Sequence, residues 1–287
     1  MQNESMRMMV RGAYDVQKLR IQMGNRVCAQ FRAKLGQAPG TPEEEIDDAE
    51  AKELLASLKA EYNRITDGIV RRRKKPLRFD GMALISTPVE AMLVEEYIAF
   101  EALESMQFKH MEKALESHRI WTEWMHGVRG VGPAMAGVII SEIDIYKARY
   151  VSSLWAYAGF DVASDGQGRS RKKEHLVERE YTNREGKQDT RNSITFNPFL
   201  KTKLYVLATS FVKAGNSPYR KAYDDYKHRL ESDPNHAEKT KGHRHNMAMR
   251  YCIKRFLADL YVQWRTLEGL PVAPDYHEAK MGHVHAA

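Results

Sequence analysis

The chain of 287 residues contains only two cysteines, Cys28 and Cys252. Two thiols so far apart make neither a disulfide framework nor a CxxC metal knuckle, and they read as buried, reduced side chains of a cytoplasmic protein. Long apolar runs are also missing. The longest, such as Val138 to Ile140 and Leu204 to Ala208, fall far short of the ~20 residues that cross a bilayer, so no membrane span is expected. The opening MQNESMRMMVRG has no apolar stretch ahead of a small-residue cleavage site, and secretion is not expected. No Walker A loop, GxSxG elbow or HExxH pair occurs. His243 and His245 lie near His236 and Cys252, but helical residues two apart face different ways, so no zinc site is expected. His283 and His285 read as solvent-exposed.

What is present is the balance of a chain that folds: 43% hydrophobic and 29% charged residues, unlike a disordered or collagen-like polymer. Its length suits one large domain or two small ones. The formal charge of +7 is concentrated in one region. Residues 165–255 carry 21 Lys and Arg against 11 Asp and Glu, whereas the remainder carries 24 against 27. Such asymmetry points to a polyanionic partner, most often nucleic acid. A basic surface without a partner is the alternative.

Periodicity predicts a mostly α fold: a long helical, coiled-coil-like arm and a compact domain carrying a polar loop or small hairpin. Residues 1–87 form an N-terminal helical region. From Glu4 to Leu35, apolar residues recur at Met9, Tyr14, Val16, Leu19, Met23, Val27 and Phe31, near the helical period. Thr41, Pro42 and Glu44 then fit a capping box opening a second helix, with a stripe at Ile46, Leu54, Leu58, Tyr62, Ile65 and Ile69. Residues 88–125 are expected as one connecting helix from Pro88, with Leu93, Tyr97, Phe100, Leu103, Met111 and Leu115 on one side. At roughly 1.5 Å per residue it would be about 55 Å long, too long for one compact core to cover. An intermolecular coiled coil and an intramolecular bundle satisfy these stripes equally, and their apolar area implies a homo-oligomer. Residues 126–267 hold the compact domain. It comprises a short helix at SSLWAYAGF, a polar span from Asp161 to Ser193, helices opened by Asn197-Pro198 and Ser217-Pro218, and a last helix from about Met247 to Leu267. Residues 268–287 read as a flexible tail.

The most informative local pattern is Val128-Arg129-Gly130-Val131-Gly132-Pro133. Two glycines around one apolar residue, followed by small residues that begin a helix, fit the turn of a helix-hairpin-helix module. The glycines let backbone approach a phosphate, and N–H groups at the start of the second helix face the anion. An ordinary glycine-rich helix connection is the alternative. Ala134 stands where many such hairpins have Lys, which leaves Arg129, Gly130 and Gly132 as the binding set. Tyr219, Tyr223 and Tyr226, interleaved with Arg220, Lys221 and Lys227, read either as a platform for unpaired bases or as half-buried core.

Taken in order, GVRGVGPAMAGVIISEI, LWAYAGF, ASDGQGRSRK, NPFLKTKLYVLA and HRHNMAMRYCIKRFLADLYVQWRTLEG resemble the C-terminal domain of the insertion-sequence 110/116/902 transposases, over roughly residues 90–267. In that family a RuvC-like DEDD nuclease domain precedes a coiled coil and a helix-hairpin-helix domain, and several members are recombinases guided by a bridge RNA. The resemblance implies a mobile-element-derived protein, cytoplasmic and nucleoid-associated in a prokaryotic or phage host cell, with DNA and a structured or guide-like RNA as partners. It also implies a serine nucleophile in the segment matched by Ala163-Ser164-Asp165-Gly166, hence Ser164. Arg169, Arg171, Lys172 and Lys173, with Lys201 and Lys203, are the cations expected around phosphate. A turn serine beside a solvated basic run is the alternative. Ser170 lies inside that run and outside the family match.

The match does not extend to the family's N-terminal domain. Residues 1–75 read as helices without an apolar β-run, and no DEDD site is visible. Asp47 and Asp48 fit the start of a helix. No cofactor is implied, and Mg would enter only if a partner supplied a DEDD site. A non-catalytic DNA- or RNA-binding scaffold that has lost the nuclease half is the alternative function.

Overall fold

The computed structural model describes residues 2–36, 49–66 and 84–274. Among these lie nine α-helices and one two-stranded antiparallel sheet, so the fold is mostly α. No helix among the described residues is long and apolar enough to cross a membrane. The chain divides into two compact units, Met8–Met111 and Met1–Arg7 with Glu112–Ala287.

The unit of residues 8–111 draws on α1 (Gln2–Lys34), α2 (Ala49–Thr66) and α3 (Pro88–Leu115). Helices α1 and α3 run antiparallel. Tyr14 meets Phe108 edge to face at 5.8 Å, Gln17 and Arg20 bind Glu104, and Lys34 reaches Glu90 at 2.8 Å. Helix α2 completes a shared core in which Val27, Phe31, Leu55, Leu58, Tyr62, Val94 and Tyr97 pack together. The stripes therefore face one another within one chain, which is the intramolecular arrangement. Their phase differs slightly from the one read in sequence: Val10, Ala13 and Leu55 are buried, whereas Met9 and Leu54 are half-buried and Leu19 is exposed. The capping box at Thr41 to Glu44, together with Ile46, Asp47, Asp48 and Ile69, lies outside the described residues.

The connecting helix expected to reach residue 125 ends at Leu115 instead. Residues 116–118 turn, with Ser117 Oγ donating to the Ala114 carbonyl at 2.9 Å, and α4 (Arg119–Glu123) follows, then a 3-10 turn at Met125–Gly127. The apolar phase explains the break. Met111 and Leu115 would be continued on an unbroken helix by polar His118, Arg119 and Thr122, whereas the buried residues are Ile120 and Trp121. The turn rotates these two into the core.

The other unit, Met1–Arg7 with Glu112–Ala287, continues with α5 (Pro133–Glu142), α6 (Val151–Tyr157), β1 (Val177–Thr182), β2 (Gln188–Ser193), α7 (Pro198–Lys213), α8 (Pro218–Ser232) and α9 (Lys241–Leu267). Asn197 and Ser217 cap α7 and α8 by accepting from the amides of Leu200 and Tyr219. Helix α9 begins at Lys241, capped by Thr240, six residues earlier than Met247. Its Phe256 packs on Phe211 of α7 and Tyr219 of α8, with ring centroids 5.3 and 5.4 Å apart. The polar span resolves into a tight loop and the exposed β1–β2 hairpin, whose register pairs Arg179 with Arg191. The tail is flexible in expectation, yet its first residues are held. Buried Arg265 donates to the carbonyls of Ile145, Ala148 and Pro271, and Ala273 donates its N–H to the Tyr261 hydroxyl.

Candidate nucleic-acid interface

The glycine turn is fixed by α7. Gly130 has φ of 101°, a left-handed conformation that costs other residues dearly. A Cβ there would also lie 2.8 Å from the Phe211 ring, and Ser210 Oγ donates to the Gly130 carbonyl at 2.8 Å. Gly132 caps α5, is exposed, and a Cβ on it would meet nothing within 4 Å. The first-turn amides of α5 lack intrahelical acceptors, and Pro133 removes one of them, so Ala134 and Met135 are the donors beside exposed Arg129. The helix before the turn is only the five-residue α4 with its 3-10 extension, shorter than expected.

The serine segment folds back on itself. Val162 bridges Gly168, Arg169 donates its N–H to the Asp161 carbonyl, and Ala163 and Gln167 are linked at 2.8 Å. Ser164 sits at the exposed tip of this turn, and none of the hydrogen bonds among the described residues uses its hydroxyl. Arg169 clamps the Asp161 carboxylate at 2.7 and 3.0 Å through one of its oxygens. The other oxygen, Oδ1, is buried with no hydrogen-bond partner among the described residues.

Two cations from adjacent helices support the loop. Lys201 of α7 donates to the Arg169 carbonyl at 2.6 Å, and its ammonium lies 4.5 Å from the centre of the Phe196 ring. Arg250 of α9 donates to the Asp161 carbonyl and lies 5.9 Å over Phe160. A Cβ on Gly168 would press on the Arg250 guanidinium, which would have to shift. Burial pushes Lys201 down to about 8, helped by Arg250 and Arg171 and opposed by Asp161. Burial also lowers Arg250, opposed by Tyr205 and Asp161.

The structure thus gathers Arg169, Arg171, Lys172 and Lys201 around one loop. Arg171 and Lys173 are exposed, and Lys172 Nζ donates to Gln167 at 2.9 Å. Lys203 lies 5.7 Å over the Phe199 ring in the first turns of α7. Arg129, Gly130 and Gly132 are not part of this cluster. They meet α7 near its C-terminal end, at Ser210 and Phe211, ten residues or about 15 Å along the helix from Lys201. Nothing local in the sequence singles out Arg250, since its contacts are with Asp161 and Phe160, far away in the chain.

Tyr219 and Tyr223 belong to the core, not to a base-stacking platform: both are 4% exposed, and Tyr219 donates to Asp259 at 2.9 Å. Tyr226 stacks on Tyr251 at 4.3 Å. His245 lies 2.6 Å from the Tyr223 hydroxyl, and burial pushes the Cys252 thiol up to about 12. Among the described residues no group of three His, Cys, Asp or Glu side chains could hold a metal ion. His283 and His285 lie outside them.

One further constellation is assembled by the loop. Ser170 Oγ lies 2.9 Å from His175 Nδ1, and His175 Nε2 lies 3.0 Å from Asp165 Oδ2. The His175 contact, followed by the Gln167 amide, holds the Asp165 carboxyl below the usual carboxylate range. Comparison with family models, curated proteins and solved structures returns no match to this chain.

Proposed function

We propose that the chain is a nucleic-acid-binding protein of the transposase and recombinase kind, with DNA as its main partner, structured RNA as a second, and a homo-oligomer as its working form. The observation that carries this reading is the convergence of Lys201 and Arg250 beneath the loop of residues 161–171. Each is partly desolvated, and the Arg250 guanidinium disfavours the charge of Lys201. An anion relieves that repulsion, and a phosphate backbone supplies anions in a row. Exposed Arg171 and Lys173 extend the contact, and the Gly130 turn with Arg129 offers a second one near the far end of α7.

The catalytic part of the reading, a serine attacking a phosphodiester, follows from the resemblance and falls on Ser164. A binding scaffold without cleavage is favoured at that residue by one observation, the absence of a base in hydrogen-bonding contact with its hydroxyl among the described residues. Binding of duplex DNA and of a hairpin RNA over a salt series tests the main reading. Affinity should fall linearly on logarithmic axes, and the Arg171→Ala, Lys173→Ala pair should reduce the slope by about 1 per lost phosphate contact. Gly132→Val has room to fold and should weaken binding by crowding the backbone donors of α5. A flat salt series, or a double variant with unchanged slope, removes the reading.

A further inference from the structure

We propose that Ser170, with His175 as its base and Asp165 as the carboxylate that orients the base, is an activated nucleophile whose electrophile is a phosphodiester. The choice of phosphodiester rests on the nucleic-acid reading above; the reactivity of the hydroxyl does not.

The tautomer of His175 is dictated by its neighbours. The backbone N–H of Ser170 donates to Nδ1 at 3.0 Å. A backbone amide can only donate, so Nδ1 carries a lone pair and the ring proton sits on Nε2, where Asp165 accepts it. That one lone pair is shared between the Ser170 N–H and the Ser170 hydroxyl, whose Oγ lies 2.9 Å away, so the hydroxyl can donate to it. That oxygen in turn accepts from the Lys172 N–H at 3.2 Å, a dipole that favours developing negative charge on it.

The parts are rigid. His175 is 3% exposed, and its backbone N–H donates to the Lys172 carbonyl at 2.9 Å. Asp165 is fixed by the Gln167 amide at 2.9 Å. Ser170 is half-buried and so can be reached from solvent. Nucleophile, base and orienting group stand in the order that serine activation requires, with the two ring nitrogens in exchanged roles relative to the protease arrangement. Ser164, six residues earlier, has none of these partners.

In the step, Ser170 Oγ attacks phosphorus and an Oγ–P bond forms. The hydroxyl proton passes to His175 Nδ1. The P–O bond to the departing sugar oxygen breaks, and that oxygen takes the proton back from His175. The products are a serine-linked phosphodiester and a free sugar hydroxyl. Arg169 is held by Asp161, so exposed Arg171, next to Ser170 in the chain, is the cation that would meet the phosphoryl group.

Nucleophilicity is read without any nucleic acid by a fluorophosphonate probe, in which Oγ–P forms as P–F breaks and fluoride leaves. Intact-mass and peptide analysis of the full chain should place the label on Ser170, survive Ser164→Ala and disappear in Ser170→Ala. Asp165→Asn, at a side chain 38% exposed and so tolerant of change, should slow labelling at least tenfold while circular dichroism stays native. Labelling that persists in Ser170→Ala, absence of label on a folded chain, or an Asp165→Asn rate equal to the parent's overturns the proposal. The salt series is measured separately. Label on Ser170 without DNA or RNA binding keeps the activated serine and discards the phosphodiester, whereas binding without label discards the serine alone.

Discussion

At the scale of single residues, the chemistry of the candidate interface concentrates on Lys201. Its folded-state value of about 8 lies below the 10.5 of a free lysine, so the unfolded chain binds more protons between those values. Stability should therefore rise with pH across that window, the reverse of a salt-bridged lysine. A bound phosphate favours the charged ammonium and draws the proton back, so DNA affinity at fixed salt should fall as pH rises from 7 to 9. Lys201→Arg, always charged in this range, should remove that pH dependence while retaining binding at pH 7; anisotropy titrations at the two pH values check both outcomes. Lys201 was legible in the sequence as one cation of a matched run, but its burial was not. Arg250 was illegible because its partners, the Asp161 carbonyl and the Phe160 ring, lie about 90 residues away, a contact that no periodicity encodes. Asp165, Ser170 and His175 were all in plain view within eleven residues. What the sequence lacked was the bridge between Val162 and Gly168 that turns the segment and brings their side chains together.

At the scale of elements, caps were legible and breaks were not. Asn197-Pro198 and Ser217-Pro218 both begin helices as local chemistry dictates. The break at residues 116–118 contains neither glycine nor proline, and only the one-residue slip in apolar phase from Leu115 to Ile120 betrays it. A capping box also stands at Thr87-Pro88-Val89-Glu90, at the helix start that Pro88 marks. Thr87 Oγ1 accepts from the Glu90 amide at 3.2 Å, and the Glu90 carboxylate accepts from the amides of Ser86 and Thr87 and from Lys34. Burial alone would raise this carboxyl, yet Lys34 and Ser86 hold it below the usual range. Glu90→Ala should cost about 1–2 kcal/mol at neutral pH, from a lost cap and a severed charged contact. A depressed carboxylate stabilises above its unfolded value and loses that contribution as pH falls through the folded one. The gap between parent and variant in denaturant midpoint should accordingly narrow in acid.

At the scale of the whole molecule, the two units carry different kinds of surface. The basic surplus lies between residues 165 and 255, inside the unit that holds the candidate interface. The unit of residues 8–111 instead carries a groove of about 540 Å³ between α1 and α3, lined by Leu19, Met23, Ala99, Phe100 and Leu103 with Arg26 and Glu96. The antiparallel packing of α1 on α3 buries most of the apolar stripe, while the groove and exposed Val89, Met92 and Met106 of α3 keep apolar surface in contact with solvent. In the proposed homo-oligomer a second copy would cover this groove, whose lining holds both a cation and an anion. A two-fold axis along the groove would set Arg26 of each copy against Glu96 of the other while the apolar walls meet, the self-complementary arrangement of an isologous dimer. Light scattering at micromolar concentrations should then give about twice 33.1 kDa. Leu103→Glu, at a side chain 36% exposed and so tolerant of change, should return the mass to that of one chain. The same variant should weaken DNA binding only through the loss of a second, linked interface, visible as a shallower concentration dependence and not as a changed salt slope. A parent chain that stays at 33.1 kDa throughout would mean that α1, α2 and α3 satisfy their apolar faces within a single copy.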